Sequence, residues 1–246
     1  MQKQQIYQIY AQLKDYEPIT FRRILVPHDI LFADLAYILM ICFEMDGSHL
    51  FNFNIPDGEN QYQIIRKKKN LENRDEIIKQ YKGEAKKRTV IVTPETDELI
   101  DFNFTTQSNI LPITRVSVFK TTLDSYITNV GNKFTFTYDF GDDWTIDLKL
   151  EKIIRTSEFT EDDLPVVVDG AGYGIIEDCG GVFSLMDLHR AFKEKKGDDY
   201  KIFSEWLEVK SLEKIDKHLA DDIFDINLAN KRLVTDINIY MKIYER

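Results

Sequence analysis

Cysteine is scarce. Cys42 and Cys179 are the only two in the 246-residue chain, and no C-x-x-C spacing exists. Neither a disulfide framework nor a structural zinc site is expected from that. Histidine is nearly as rare, with four residues and no H-E-x-x-H. His28, His189 and His218 have no ligand spacing around them and read as surface residues. Long apolar runs are missing too: the longest, Leu35 to Phe43, lies between Asp34 and Glu44 and is too short to span a bilayer. The opening stretch, MQKQQIYQIYAQLKD, lacks the apolar segment of a signal peptide. The expectation is a soluble cytoplasmic protein with no membrane partner. Positive charge is in deficit, 32 Lys and Arg against 42 Asp and Glu, for a net charge of −10. That opposes a general nucleic-acid coat, because phosphate binding is driven by Lys and Arg.

What is present is core material. Hydrophobic residues make up 43% of the chain and aromatics 12%, enough for a substantial interior. No internal repeat or low-complexity linker divides the chain, so one α+β domain is expected. Charge is unevenly distributed. Arg66 to Arg88 holds ten basic residues against four acids, whereas Asp139 to Asp163 holds nine acids against three bases. The basic run reads as a solvated helix and loop, or else as a surface for an acidic partner.

Local patterns give most of the elements. Ile6–Leu13 and Arg22–Val26 read as strands around a turn at Pro18, and Asp29 is placed to cap a helix from Ile30 to about Glu44. That helix is apolar almost all round, which predicts burial on more than one side. His49, Phe51, Phe53 and Ile55 alternate with Leu50, Asn52 and Asn54 as a half-buried strand, and PDG at Pro56–Gly58 is a turn. A short strand at Tyr62–Arg66, a helix near Glu72–Tyr81, a strand at Thr89–Val92 and a helix entered through Thr93-Pro94 are expected next. The clearest signal is a hairpin: Phe134, Phe136, Tyr138 and Phe140 share one face, and Trp144, Ile146, Leu148 and Leu150 follow after Gly141-Asp142-Asp143. Gly141 is the residue expected to take the unusual turn dihedral. Val166–Val168 reads as a strand. Ser184-x-x-Asp187 resembles a capping box before Leu185, Leu188 and Phe192, and Ser211 opens a helix marked by Leu212, Ile215 and Leu219. The tail alternates at Ile237, Ile239, Met241 and Ile243, which suggests a strand without excluding a helix.

YDFGDDW at Tyr138–Trp144, EDCGG at Glu177–Gly181, and the stretch from RRILVP to HLFNF between Arg22 and Phe53 occur together in this order. In that combination the chain resembles the plasmid pRiA4b ORF-3-like family, also labelled as a passenger protein of an insertion element. The resemblance runs from about Tyr7 to Leu233, with DINLANKRL similar to the family's closing helix. It implies an α+β domain at 1–233, a mixed or antiparallel sheet with hairpins packed against a buried N-terminal helix and C-terminal helices. It also implies a charged insertion at about 67–112 and a tail at 234–246. The family's biochemical role is largely unassigned. Several family positions differ here: Phe21, Ala36, Met45, Ile146 and Ile176 stand where the pattern has Trp, His, Trp, His and Pro. Most of any histidine-based machinery is therefore absent, and His49 is the one histidine left within the motifs.

The acids Asp139, Asp142, Asp143, Glu177 and Asp178 invite two readings. Aspartates beside glycine make turns through side-chain to backbone hydrogen bonds. Carboxylates that converge are instead solvated, paired with cations or gathered round a metal, with Mg²⁺ or Mn²⁺ the natural ions for Asp142, Glu177 and Asp178. Of Arg22 and Arg23, which alternate across a strand, one is expected to face inward and pair with a carboxylate of this set. GAGYG at Gly170–Gly174 is not a dinucleotide fingerprint, because Ile175 stands where the last glycine is required and acids follow. Cys179 beside Glu177 and Asp178 is a poor nucleophile.

The expected function is a non-catalytic binding or interaction module for an unknown ligand or protein. Its acidic pocket would comprise Asp139, Asp142, Asp143, Trp144, Glu177, Asp178, His49 and Arg23, with Trp144 as the apolar floor. A divalent-metal hydrolase or nuclease using Asp139, Asp142, Glu177 and Asp178 is the alternative. Mobile-element nucleic-acid handling is a third, suggested by the family label and the basic run.

Overall fold

The computed structural model describes residues 4–56, 89–94, 113–160, 163–210 and 223–245. The expected strand at Tyr62–Arg66 and the helices near Glu72–Tyr81, beyond Thr93-Pro94 and from Ser211 lie outside the described residues, as does most of the proposed insertion.

Among the described residues, eight strands form one sheet: β1 (Gln4–Leu13), β2 (Phe21–Pro27), β3 (Phe51–Pro56), β4 (Thr89–Thr93), β5 (Ile113–Ser117), β6 (Lys133–Tyr138), β7 (Trp144–Thr156) and β8 (Val166–Ala171). Their order is β5-β4-β3-β6-β7-β1-β2-β8, antiparallel throughout except for the parallel β4–β5 pair. The α-helices among the described residues are α1 (Phe32–Cys42), α2 (Gly181–Glu194), α3 (Gly197–Val209), α4 (Ile226–Thr235) and α5 (Ile237–Tyr244). The architecture is α+β, as the alternation patterns predict.

α1 is buried at every position except Asp34. It lies between the sheet, where the Phe32 ring meets Phe53 and Phe134, and α5, where Tyr37 stacks on Tyr244. A helix apolar all round is stable only when covered on both sides, and this packing covers it. It starts two residues later than expected, with Leu31 rather than Asp29 at the cap position and no side-chain cap. The Phe32 and Ala33 amides instead donate to the carbonyls of Thr121 and Val118, at 3.0 and 3.2 Å. Tertiary backbone contacts thus do the work that the sequence pattern assigns to aspartate.

Two further expectations are corrected. The tail forms the helix α5, not a strand. Its Tyr240 and Tyr244 point back to the molecule, a spacing of four that suits a helix as well as alternation suits a strand. α2 begins at Gly181, so Ser184 lies inside the helix rather than capping it, and Gly180 in the left-handed region precedes it.

Arg22 is the inward arginine, fully buried. It donates to the carbonyls of Cys42 (2.9 Å), Phe21 (2.8 Å), Ala171 (2.6 Å) and Tyr173 (2.8 Å). Phe43 and Phe224 cover its guanidinium, with ring centroids at 4.9 and 3.7 Å. The expected pairing of the inward arginine with the acidic motifs is replaced by main-chain carbonyls, including one at the negative end of α1. The GAGYG loop serves this arrangement: a Cβ on Gly174 would meet the Phe43 carbonyl oxygen at 2.6 Å, so glycine is required for the approach.

Candidate functional site at the hairpin tip

Register closes the β6–β7 hairpin at Tyr138↔Trp144, leaving Asp139–Asp143 as the tip. Gly141 does not take the left-handed conformation expected of it; Asp139 (φ 52°) and Asp143 (φ 54°) do. Aspartate tolerates this region because its side chain bonds locally, and Asp139 Oδ1 accepts the Gly141 amide at 2.9 Å. The turn role foreseen for the acids is therefore present at Asp139.

The EDCGG bend folds directly against this tip. Gly180 N donates to Asp142 Oδ2 at 3.2 Å. Gly181 lies so close that a Cβ there would stand 2.7 Å from the Asp142 carbonyl oxygen. Two segments nearly forty residues apart thus share one rim, as a common pocket requires.

On one flank the rim brings His49 between carboxylates. His49 Nδ1 is 3.7 Å from Asp139 Oδ1, and Nε2 is 3.7 Å from Glu177 Oε2 and 4.0 Å from Asp178 Oδ1. Among the described residues, the set of three whose ligand atoms all lie within 4.8 Å of one another is His49, Asp139 and Glu177. Asp142 and Asp178 stand outside it. Asp142 holds the Gly180 amide, and Asp178 Oδ2 pairs with Lys210 Nζ at 2.7 Å.

Glu177 is the unusual member. Oε1 accepts the Asp46 amide at 2.9 Å, whereas Oε2 is enclosed with no hydrogen-bond partner among the described residues. The nearby Tyr138 hydroxyl donates to Asp46 Oδ1 and accepts from the Gly47 and Ser48 amides, each at 3.1 Å. Burial pushes the Glu177 carboxyl up to about 6; the Asp46 carboxylate adds to the rise, while the Asp46 amide, Tyr138 and His49 oppose it. Asp46 moves the other way. Burial works against its charge, yet the Ser48 and Tyr138 hydrogen bonds hold it below the usual range.

On the other flank lies a cavity of about 210 Å³, walled by Asp142, Asp143, Trp144, Gly181 and the end of β1. Trp144, among the residues that line it, is 1% exposed. Its indole N–H has no acceptor among the described residues. Two of the orphaned buried polar atoms in the described residues therefore belong to this one rim.

The remaining predicted residues fall elsewhere. Arg23 lies on the sheet between Glu151 (2.8 Å) and Asp169 (2.6 Å), away from the rim acids. Cys179 is a weak nucleophile here: burial first, then the Asp142 carboxylate, pushes its thiol up to about 12. Sequence reading missed Asp46, Tyr138 as a polar residue, and Lys210. The D-G pair at Asp46-Gly47 reads only as a helix stop, and Tyr138 reads only as one member of a core stripe.

Among the described residues, an eight-stranded mixed sheet with a helix enclosed between it and C-terminal helices defines an α+β domain. The chain belongs to the plasmid pRiA4b ORF-3-like protein family, whose model matches residues 5–228. A crystal structure of a protein of unknown function from Methanosarcina mazei Go1 is similar, with a TM-score of 0.57 and 22% identity over 83% of this chain and 89% of that one. That likeness shows a shared fold. No curated protein matches the chain. Among the described residues no helix is long and apolar enough to cross a membrane.

Proposed function

We propose that this protein is a non-catalytic binding module that takes a divalent cation on His49, Asp139 and Glu177. The observation that carries the reading is the enclosed Glu177 Oε2, which makes no hydrogen bond of ordinary geometry among the described residues and lies 3.7 Å from the His49 imidazole, beside a second carboxylate. Buried acceptors are nearly always paired, and an exception asks for a proton or an ion. One imidazole with two carboxylates is a donor set suited to Mn²⁺ or Zn²⁺ more than to Mg²⁺, which favours all-oxygen surroundings. The two carboxylates would match the charge of a divalent ion, and Lys210 already balances Asp178. A protonated His49 bridging both acids is the competing explanation, and it predicts indifference to metal.

Thermal unfolding of chelated protein before and after adding Mn²⁺ or Zn²⁺ tests this. A saturable rise in Tm is expected from mass action, and Glu177→Gln and Asp139→Asn should each abolish it. An unmoved melt in wild-type protein would leave only the bridging-histidine account. A hydrolase reading rests on the half-open position of His49, whose side chain is 32% exposed and leaves space for water on a bound ion. Turnover of an activated phosphodiester that needs both Mn²⁺ and Glu177 would support it; Mn²⁺ binding without turnover would favour the binding module.

A further inference from the structure

Phe53 and Phe134 turn one face of the sheet toward Phe32 of α1. On the opposite face a cavity of about 480 Å³ crosses β3, β6, β7 and β1. Its polar lining includes Tyr10, Gln12, Lys133, Asp147 and Lys149. Strand register sets their arrangement. Lys133 stands directly opposite Lys149, and Lys149 directly opposite Tyr10. In the next row of the same face Asp147 stands opposite Gln12. Like charges directly opposite on paired strands repel. No acid relieves these two, because neither lysine has an ion-pair partner among the described residues. Glu151 feels the charge of Lys149 but is already held by Arg23 at 2.8 Å. Gln12 accepts the Tyr10 hydroxyl at 2.9 Å, which leaves its amide N–H groups to donate. From the β2 side Phe21 stacks on the Tyr10 ring at 5.5 Å, and the Arg23 guanidinium lies 5.1 Å from it. These contacts fix the ring as a wall of the cavity.

A bare phosphate would answer the lysines and leave the ring, the amide and most of the volume unused. A neutral sugar would leave the lysines repelling. A long polyanion conflicts with Asp147 and with the net charge of −10. Two ammonium groups match one phosphate dianion, whereas a di- or triphosphate would bring surplus charge against Asp147. The volume falls within the range of about 300–1,000 Å³ found for small-molecule sites. Neighbouring strands lie about 4.8 Å apart, so Tyr10 is one strand from Lys149 and two from Lys133, a span that suits a nucleotide from base to phosphate. We infer that this cavity binds a free ribonucleoside monophosphate. Its phosphate lies on Lys133 and Lys149 and its base stacks on Tyr10, with the base edge toward Gln12. The ribose hydroxyls donate to Asp147, a role that accounts for an acid beside a phosphate site.

The inference is independent of the His49 cluster, so the full chain is titrated in chelating buffer, where no metal can bridge a phosphate. Calorimetry with AMP, GMP, CMP and UMP should show saturable millimolar or tighter binding for at least one of them. For that nucleotide, its nucleoside, its 2′-deoxy form and inorganic phosphate should each bind about tenfold more weakly or worse, since each lacks one contact. Lys133→Gln combined with Lys149→Gln should also cost about tenfold in affinity. The same double variant should melt no lower than wild type, because it removes a repelling pair from exposed positions. Absence of binding across all four nucleotides overturns the inference. So does binding that inorganic phosphate or the 2′-deoxy form matches, or that the double variant leaves unchanged. A single-stranded oligoribonucleotide that binds more tightly than its mononucleotide would assign the face to a nucleic-acid chain instead and overturn the free-nucleotide reading.

Discussion

At the scale of single residues, the two arginines of one dipeptide show how burial decides energetics. Arg22 supplies donors to four enclosed carbonyls, so Arg22→Met would strand them and is expected to cost about 3–5 kcal/mol. Arg23→Met removes a half-exposed ion pair with Glu151 and Asp169, worth no more than about 1 kcal/mol. Chemical denaturation of the two variants should separate them clearly; similar losses would mean that the carbonyls around Arg22 find other donors. The alternation of the dipeptide across a strand was enough to say that one arginine turns in. Which partners it meets was not legible, because the Cys42 carbonyl and the Ala171–Tyr173 loop reach it only through the fold. Asp139 shows the same limit. A glycine in the turn drew attention to itself, yet the left-handed residues are its aspartate neighbours, each held by local hydrogen bonds.

At the scale of elements, α5 is the clamp on the segment that carries His49. Tyr240 donates to the Met45 carbonyl and Tyr244 to the His49 carbonyl at 2.6 Å, while the Tyr244 ring also packs against Phe51. This helix lies beyond residue 228, where the family match ends. Tyr244→Phe keeps the ring packing and removes only the hydroxyl. It should lower stability by about 1 kcal/mol and weaken Mn²⁺ binding by about tenfold, the usual size of an effect that acts through a ligand's support. Titration calorimetry beside thermal melts distinguishes the two effects; a stability loss with unaltered metal affinity would show that α5 braces the core alone. α3 was missed from sequence although Phe203 and Leu207 are spaced for a helix, because lysines and acids dilute the pattern around Gly197. β5 was missed as well, since a five-residue strand carries too little periodicity to stand out.

At the scale of the whole molecule, opposing carboxylates set the response to pH. Burial works against the charge of Glu151, but Arg23 and Gln8 hold it below its ordinary value of 4.5. The Thr235 hydroxyl chiefly, and Arg232 as well, hold Asp236 below 3.8. A carboxyl depressed in the folded state contributes stability above its unfolded value, and that contribution is lost as pH falls through the folded one. Glu177 has the opposite sign: raised from 4.5 to about 6, it contributes stability at low pH that disappears as pH rises through that interval. Its full effect is about 2 kcal/mol, or roughly 4–8 °C in Tm for a chain of this size. Metal-free protein should therefore be most stable near pH 5. Glu177→Gln should remove the decline between pH 4.5 and 6 and raise Tm at pH 8; melts of the chelated variant across that range check it, and an unchanged profile would mean that Glu177 is solvated. The sequence by itself determined the class of fold, the sheet's main strands and the burial of α1, because hydrophobic period is a local property that packing must respect. Only the tertiary structure decided that the hairpin tip and the EDCGG bend meet, that His49 stands between Asp139 and Glu177, and that the tail is a helix gripping it. Those facts depend on which distant surfaces exclude water together, and no spacing along the chain encodes that.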